Sequence, residues 1–460
     1  MIALLGGGLS LDAPARDRLS FVLAFVAALL LIFGAAWLSR NAKTFWKALA
    51  AATLGFLIAL GAADWFFSLG KNDDLGSSLS RVEILGAPTI IGAEDVAVVP
   101  GDPVRLLISA TDNARAASET DGALYLLDPQ RPYAPLKPLI LEDRDGCSFR
   151  PHGIDVIQDG EGTWIFVINH HLARDTDPER GCQPALHAAP KPMESIEIFR
   201  YRGPYLPLQF AERLEDSKLG HPNDLAAVGR RHLLVTVPEA KPGEIWNGLL
   251  AMVGAPPTGH CSGRVVDWNH GVWSEPAKDL CYPNGIAVQP PPSVDPLSAA
   301  SNGPVGGPVL SPASRAARAF WVATSLDGKL HRIPPLPQGD LSGEGAPDNL
   351  SWAGTDLLVA LHKDKVQFAA AALSAGIDGP PISSPGCVLR LRFPAEGSKE
   401  VWKPNLTCPP ETKANPDFPY RGNGERMSAV SSGACVGPDL FLGQVFERGI
   451  GRVAGGCAPP

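Results

Sequence analysis

Residues 151–171 read PHGIDVIQDGEGTWIFVINHH. A polar opening is followed by an apolar strand, a Gly/Asp turn and a second apolar strand, the pattern of one β-hairpin. The phrase returns as AEDVAVVPGDPVRLLISAT from Ala93, PNDLAAVGRRHLLVTV from Pro222 and PNGIAV from Pro283, whose second strand is delayed to AFWVATSLDGKL. It returns again as PDNLSWAGTDLLVALH from Pro347 and MSAVSSGACVGPDLFLGQVF from Met427. The starts lie roughly 60 to 80 residues apart, the length of a unit of about four short strands.

The fold expected is all-β, a six-bladed β-propeller over residues 80–460; a sandwich or several β domains is the competing reading. SIEIFRYRG and CVLRLRFPAEGSKEVW alternate polar and apolar residues as outer strands do. Residues 289–314, rich in Pro, Gly and Ser, interrupt the fourth unit between its first two strands as a surface insertion.

Composition agrees with this class. The 460 residues are 45% hydrophobic, enough for a sizeable core. The 45 prolines and 48 glycines punctuate many turns. A formal charge of −8 argues against a nucleic-acid partner. All eight cysteines follow residue 140 and none forms a CxxC pair. Disulfides in an oxidising compartment fit better than a zinc site, with neighbours such as Cys387 and Cys408 as partners.

The N-terminal region, residues 1–75, holds two apolar stretches, 21–38 and 48–69, each near the ~20 residues that span a bilayer. Arg40, Lys43 and Lys47 between them mark a cytoplasmic loop. The chain is expected to be membrane-anchored by one or two transmembrane helices, with the propeller on the non-cytoplasmic side.

In a propeller the opening pair of each unit converges on the axis. Those pairs are Glu94–Asp95, His152–Gly153, Asn223–Asp224, Asn284–Gly285 and Asp348–Asn349. Any one pair is explained by turn geometry. Five matching pairs out of six units instead suggest a ring of oxygen ligands, which favours calcium over zinc or copper. His152 stands in this ring and His170 ends the next strand, so both reach one mouth, where a neutral imidazole can take a proton from water. The roles of His171 and His362 stay open; His187, His221 and His270 read as loop residues.

At GAEDVAVVPG, FRPHGIDV, FVINHH, HPNDLAAVG, YPNGIAV and DNLSWAGTDLLVALH the sequence resembles the paraoxonase/arylesterase family of calcium-dependent lactonases. The resemblance spans residues 80–450 in short blocks, and single blocks also suit gluconolactonase and strictosidine-synthase-like propellers. It implies a propeller closed by its terminal strands and two calcium ions. A catalytic ion would be held by Glu94, Asn223, Asn284, Asp348 and Asn349. A deeper, structural ion would be held by Asp95, Asp224 and the Ile154 carbonyl. His152 would be the base, assisted by His170, with Asn223 and Asn349 adding hydrogen bonds to the oxyanion or Asp348 attacking as a nucleophile. The family's disulfide between its two ends cannot form here, because no cysteine precedes Cys147.

The function these residues imply is hydrolysis of a small lactone or carboxylic ester. The alternatives are a non-catalytic, calcium-stabilised binding propeller and a gluconolactonase-like sugar-lactone hydrolase.

Overall fold

The computed structural model describes residues 81–112, 121–144, 147–171, 194–239, 261–289, 319–336, 339–374, 382–393, 404–409, 415 and 417–458. The expected membrane spans at 21–38 and 48–69 lie outside these residues. Among the described residues no helix is long and apolar enough to cross a membrane.

The first strand, β1 (Val82–Leu85), does not open the first sheet; it closes the last. The first sheet is β2 (Asp95–Val99), β3 (Arg105–Ala110) and β4 (Ala123–Leu127). The second begins on its outer edge with β5 (Leu141–Glu142), then runs inward-to-outward as β6 (Pro151–Asp159), β7 (Gly162–Asn169), β8 (Ser195–Tyr201) and β9 (Leu208–Leu214). The third is β10 (Leu225–Gly229), β11 (His232–Val237), β12 (Gly263–Asn269) and β13 (Val272–Leu280).

The fourth sheet is β14 (Pro283–Val288), β15 (Phe320–Thr324), β16 (Lys329–Ile333) and β17 (Leu341–Ser342). Its first two strands flank residues 290–318, so the Pro-rich segment falls inside this blade as the sequence implies. The fifth is β18 (Ala346–Ala353), β19 (Asp356–His362), β20 (Gly386–Leu391) and β21 (Tyr420–Gly422). The sixth is β22 (Val430–Val436), β23 (Asp439–Gln444) and β24 (Ile450–Val453), completed by β1.

This is a six-bladed propeller. β1 pairs antiparallel with β24, from Val82 opposite Val453 to Leu85 opposite Ile450. Arg452 reinforces the join, reaching Glu83 on β1 at 3.1 Å and Asp439 at 2.6 Å. Ring closure thus needs no disulfide between the ends, and Cys457 pairs instead with Cys435 in its own blade. Cys261–Cys281 and Cys387–Cys408 are also neighbours in sequence.

Among the described residues the core divides into six clusters, one between each pair of consecutive sheets. Val99, Leu107, Ile154 and Ile165 join the first blade to the second; Leu85, Leu106, Ala434 and Phe441 join the sixth to the first. A second strand is covered on both faces, so its burial does not alternate: β3, RLLISA, is buried throughout, Arg105 and Ser109 included. The outer strand β13 keeps one face in water and alternates in exposure over most of its length.

Polar bonds between blades add direction to this packing. Asp95 Oδ2 accepts the Ile154 amide at 2.9 Å, Asp155 Oδ2 the Ala227 amide at 2.8 Å, and Asp224 Oδ2 the Ile286 amide at 2.9 Å. Each carboxylate reaches from its own inner strand to the next blade's. Hydroxyls do the same: Ser109 donates to the His152 carbonyl, Thr236 to that of Asn284, Ser325 to that of Pro347, Ser351 to that of Gly433, and Ser431 and Ser432 to that of Glu94.

One element was not legible. Helix α1 (Lys365–Ser374) follows β19, with Asp364 Oδ1 accepting the Gln367 amide as an N-cap. KVQFAAAALS is too short and too uniformly apolar for a helical stripe to show.

Candidate functional site

The opening pairs of three blades lie in β-bulges. Pairing between β6 and β7 slips between Pro151 and Ile154, between β14 and β15 from Pro283 to Ile286, and between β18 and β19 from Pro347 to Leu350. Each slip inserts one extra residue into the inner strand. His152–Gly153, Asn284–Gly285 and Asp348–Asn349 are therefore freed from regular pairing, as bulges at sheet edges and active sites do. The glycines are required here. A Cβ on Gly153 would lie 2.7 Å from the Asn223 carbonyl, and one on Gly285 would lie 2.4 Å from the Asp348 carbonyl. The inner strands approach so closely that side chains from successive blades gather at one end of the channel.

Glu94 and His152 meet there, with His152 Nδ1 2.8 Å from Glu94 Oε2. Asp348 Oδ2 is 2.7 Å from His362 Nε2, and Phe368 of α1 stacks on the His362 ring at 3.8 Å. This gives His362, whose role was open, a place: it holds one oxygen of Asp348. Asn284 Nδ2 donates to Ser325 Oγ at 3.2 Å. Asn349 is 6% exposed, and its Oδ1 has no hydrogen-bond partner among the described residues.

The charges explain the site's chemistry. Burial pushes Asp95 up to about 7, against hydrogen bonds from the Ile154 and Val96 amides. Burial, with the nearby charge of Asp95, raises Asp224 well above the usual carboxylate range. Asp348 is raised by burial despite its bond to His362. Burial would lower His152, but the charge and hydrogen bond of Glu94, with Asp348 and Asp95 behind it, carry it above its ordinary value. Tyr282, absent from the sequence reading, feels the charges of Asp348 and Glu94 as well as burial, and its phenol is raised.

The acids near the axis thus lie in one another's field, and burial disfavours their charged forms. An unpartnered buried oxygen on Asn349 and a donor set of carboxylates and amides fit a hard cation. The structure brings Glu94, Asp95, His152, Asp224 and Asp348 into one electrostatic group. The Asn223 carbonyl lies against Gly153, next to His152, and the Asn284 carbonyl accepts from Thr236. Ile154 lies beside it, with its amide on Asp95.

A second cluster adjoins the first. The His170 ring packs edge-on to His152, with centroids 4.8 Å apart. His170 Nδ1 is 2.9 Å from Glu194 Oε2, and His221 Nδ1 is 3.0 Å from Glu194 Oε1. His170 and His221 rings are 4.6 Å apart. Burial, with the neighbouring His152 and His221, pushes His170 down to about 4. Burial of Glu194 is outweighed by its bonds to His170 and His221, which hold it at about 2.

His221 is therefore no mere loop residue, and Glu194 carried no signal. It stands at the start of an outer-strand phrase, and only the return of β8 beside β7 brings it to His170. Beneath this cluster, Asn169 donates to the fully buried Glu197, which also holds Arg144 at 2.6 Å and Arg213 at 3.1 Å. The end of β7 that presents His170 is thereby anchored.

Fold and site together define a six-bladed propeller with an acid-lined channel mouth flanked by histidines. No protein-family model and no curated protein sequence matches the chain. Solved structures similar to it include a PQQ-bound aldose sugar dehydrogenase from Streptomyces coelicolor, at 11% identity and a TM-score of 0.41 over 82% of this chain and 98% of that one. A GH43_1 enzyme from Xanthomonas citri complexed with xylotriose is 14% identical, with a TM-score of 0.34 over 72% of this chain and 94% of that one. The soluble aldose sugar dehydrogenase of Escherichia coli is 11% identical, with a TM-score of 0.27 over 61% of this chain and 96% of that one. These likenesses are distant. The resemblance to the paraoxonase/arylesterase family rests on the short motifs alone.

Proposed function

We propose that the propeller is a calcium-dependent hydrolase of lactones or carboxylic esters. The observation that carries this reading is the buried, unpartnered Asn349 Oδ1, set in the same bulge as Asp348 and within one electrostatic group with the Glu94–His152 pair. Glu94, Asn223, Asn284, Asp348 and Asn349 would hold the ion at the mouth. Asp95, Asp224 and the Ile154 carbonyl would hold a deeper one, since each carboxylate keeps free lone pairs beyond the amides it accepts. Bound there, calcium supplies Lewis-acid polarisation of a carbonyl oxygen.

The chain's own groups do the rest. Glu94 fixes Nδ1 of His152 as the protonated nitrogen, which leaves Nε2 as the base for water. His170, uncharged near neutral pH, packs against His152 without adding a competing positive charge. The anchor is part of the same proposal: the apolar stretches at 21–38 and 48–69 hold the propeller to the non-cytoplasmic side of a membrane, an oxidising setting in which its disulfides persist.

One observation favours a second reading. Asp95 and Asp224 already lock adjacent blades, so calcium there would serve a non-catalytic binding propeller equally well. A panel of lactones, sugar lactones and aryl esters, assayed with calcium and after EDTA, separates the two. Calcium-dependent turnover that is lost in Glu94→Ala and Asp348→Ala is expected; full activity after chelation overturns the hydrolase proposal.

A further inference from the structure

We propose that His170, Glu194 and His221 form a binding site for a first-row divalent transition metal, zinc foremost, separate from the oxygen-lined axial site. Two imidazole nitrogens and a carboxylate offer ligand atoms that all lie within 4.8 Å of one another, and the axial carboxylates make no second group of this kind. Calcium takes six to eight oxygens; two nitrogens and one oxygen suit zinc and its neighbours. Three protein ligands with one position left to solvent is the arrangement of open zinc sites. His221, whose side chain is 70% exposed, provides that access.

The ligands come from different parts of the chain. His170 follows β7 and Glu194 precedes β8 in the second blade, whereas His221 stands in the loop that leads into β10 of the third. Only the folded ring brings them together. The residues behind them are placed to support ligands. The His171 amide donates to Glu194 Oε2 at 3.3 Å, and His171 Nε2 is 2.9 Å from Ser195 Oγ, which ties the end of β7 to the start of β8. No described cysteine is free to compete for the metal.

Without metal, the same atoms are satisfied by hydrogen bonds from the two imidazoles to Glu194. The metal replaces those shared protons.

The test uses the tag-free full chain in excess calcium, titrated with zinc chloride by calorimetry and with cobalt(II) by visible absorption. One zinc per chain is expected. Loss of even an outer partner of a metal ligand costs 10–100-fold in affinity, so His221→Ala and Glu194→Gln should each weaken binding by at least about tenfold and abolish the cobalt bands. His270→Ala, which alters an exposed histidine paired only with Asn269, should leave both unchanged. No zinc binding, or equal binding by wild type and His221→Ala, overturns the site. These readouts need no substrate, so failure of the hydrolase proposal leaves them intact.

Discussion

His152 Nδ1 lies 2.8 Å from Glu94 Oε2, a contact that joins the inner strands of the first two blades. It does two things to the imidazole: it fixes which nitrogen carries the proton, and it raises the pKa. Glu94→Gln keeps the shape and removes the charge. His152 should then titrate lower, so the acid limb of the pH–rate profile should move to lower pH as the rate itself falls. His152→Gln should lower kcat by about 10²–10⁴, the usual contribution of a general base. An unshifted profile in Glu94→Gln would break the link between the two residues.

Calcium and Asn349 should be coupled through stability. Among the described residues the Asn349 Oδ1 is buried without a donor, a cost of roughly 1–3 kcal/mol in the absence of an ion. Asn349→Leu removes that cost, so in EDTA the variant should be no less stable than wild type. In calcium the order should reverse: an ion at 100 times its Kd adds about 2.7 kcal/mol to the state that binds it, and the variant should lose most of this. Thermal melts of both proteins in the two buffers decide it. A variant that gains as much from calcium as wild type would remove Asn349 from the site.

Asp155 offers a clean measure of the locks between blades, because it stands outside the proposed ligand set. Its Oδ1 accepts the Val156 amide at 2.7 Å and its Oδ2 the Ala227 amide of the next blade at 2.8 Å. Hydrogen bonds to a charged group are worth about 1.5–3 kcal/mol, and Asp155→Ala removes both of these. Urea unfolding should show a loss of that order. A loss within error of zero would mean that apolar packing alone holds these blades.

The blades were legible because burial writes a simple pattern. LLISA, WIFVI and LLVTV are mostly apolar, since a second strand is covered on both faces, and the polar pair at the start of each inner strand marks the turn into the channel. Glu94, His152 and Asp348 followed from that symmetry. The closure by β1 was legible only through the resemblance, because VEIL is too short to announce itself as a strand. Glu194, His221 and Tyr282 lie outside the repeated position, and only tertiary packing brings them to the mouth. The pairing of His362 with Asp348 needed the strand register, which places these residues 14 apart in sequence at the same end of one hairpin. Helix α1 arises from a cap and a few alanines, a weak local signal among so many strands.

The His170–Glu194 pair should govern acid stability. His170 has a folded pKa of about 4 against an ordinary 6.5, because burial and its histidine neighbours disfavour its charge. Between those values the unfolded chain holds a proton that the folded one does not. Stability therefore rises with pH across this window and falls as the solution is acidified through it. Glu194, held at about 2 against 4.5, acts in the same direction over a lower window: its contribution is complete above 4.5 and is lost as pH falls toward 2. The charges facing the pair are His152, His221 and Arg150, and none is removed by the substitution His170→Gln. That variant should keep the lower part of the acid limb and lose much of the upper part, between about pH 6.5 and 4. Urea midpoints across this range in metal-free buffer supply the measurement. An unchanged slope in His170→Gln would mean that His170 is not held neutral in the folded protein, and that Glu194 does not meet it as a neutral donor.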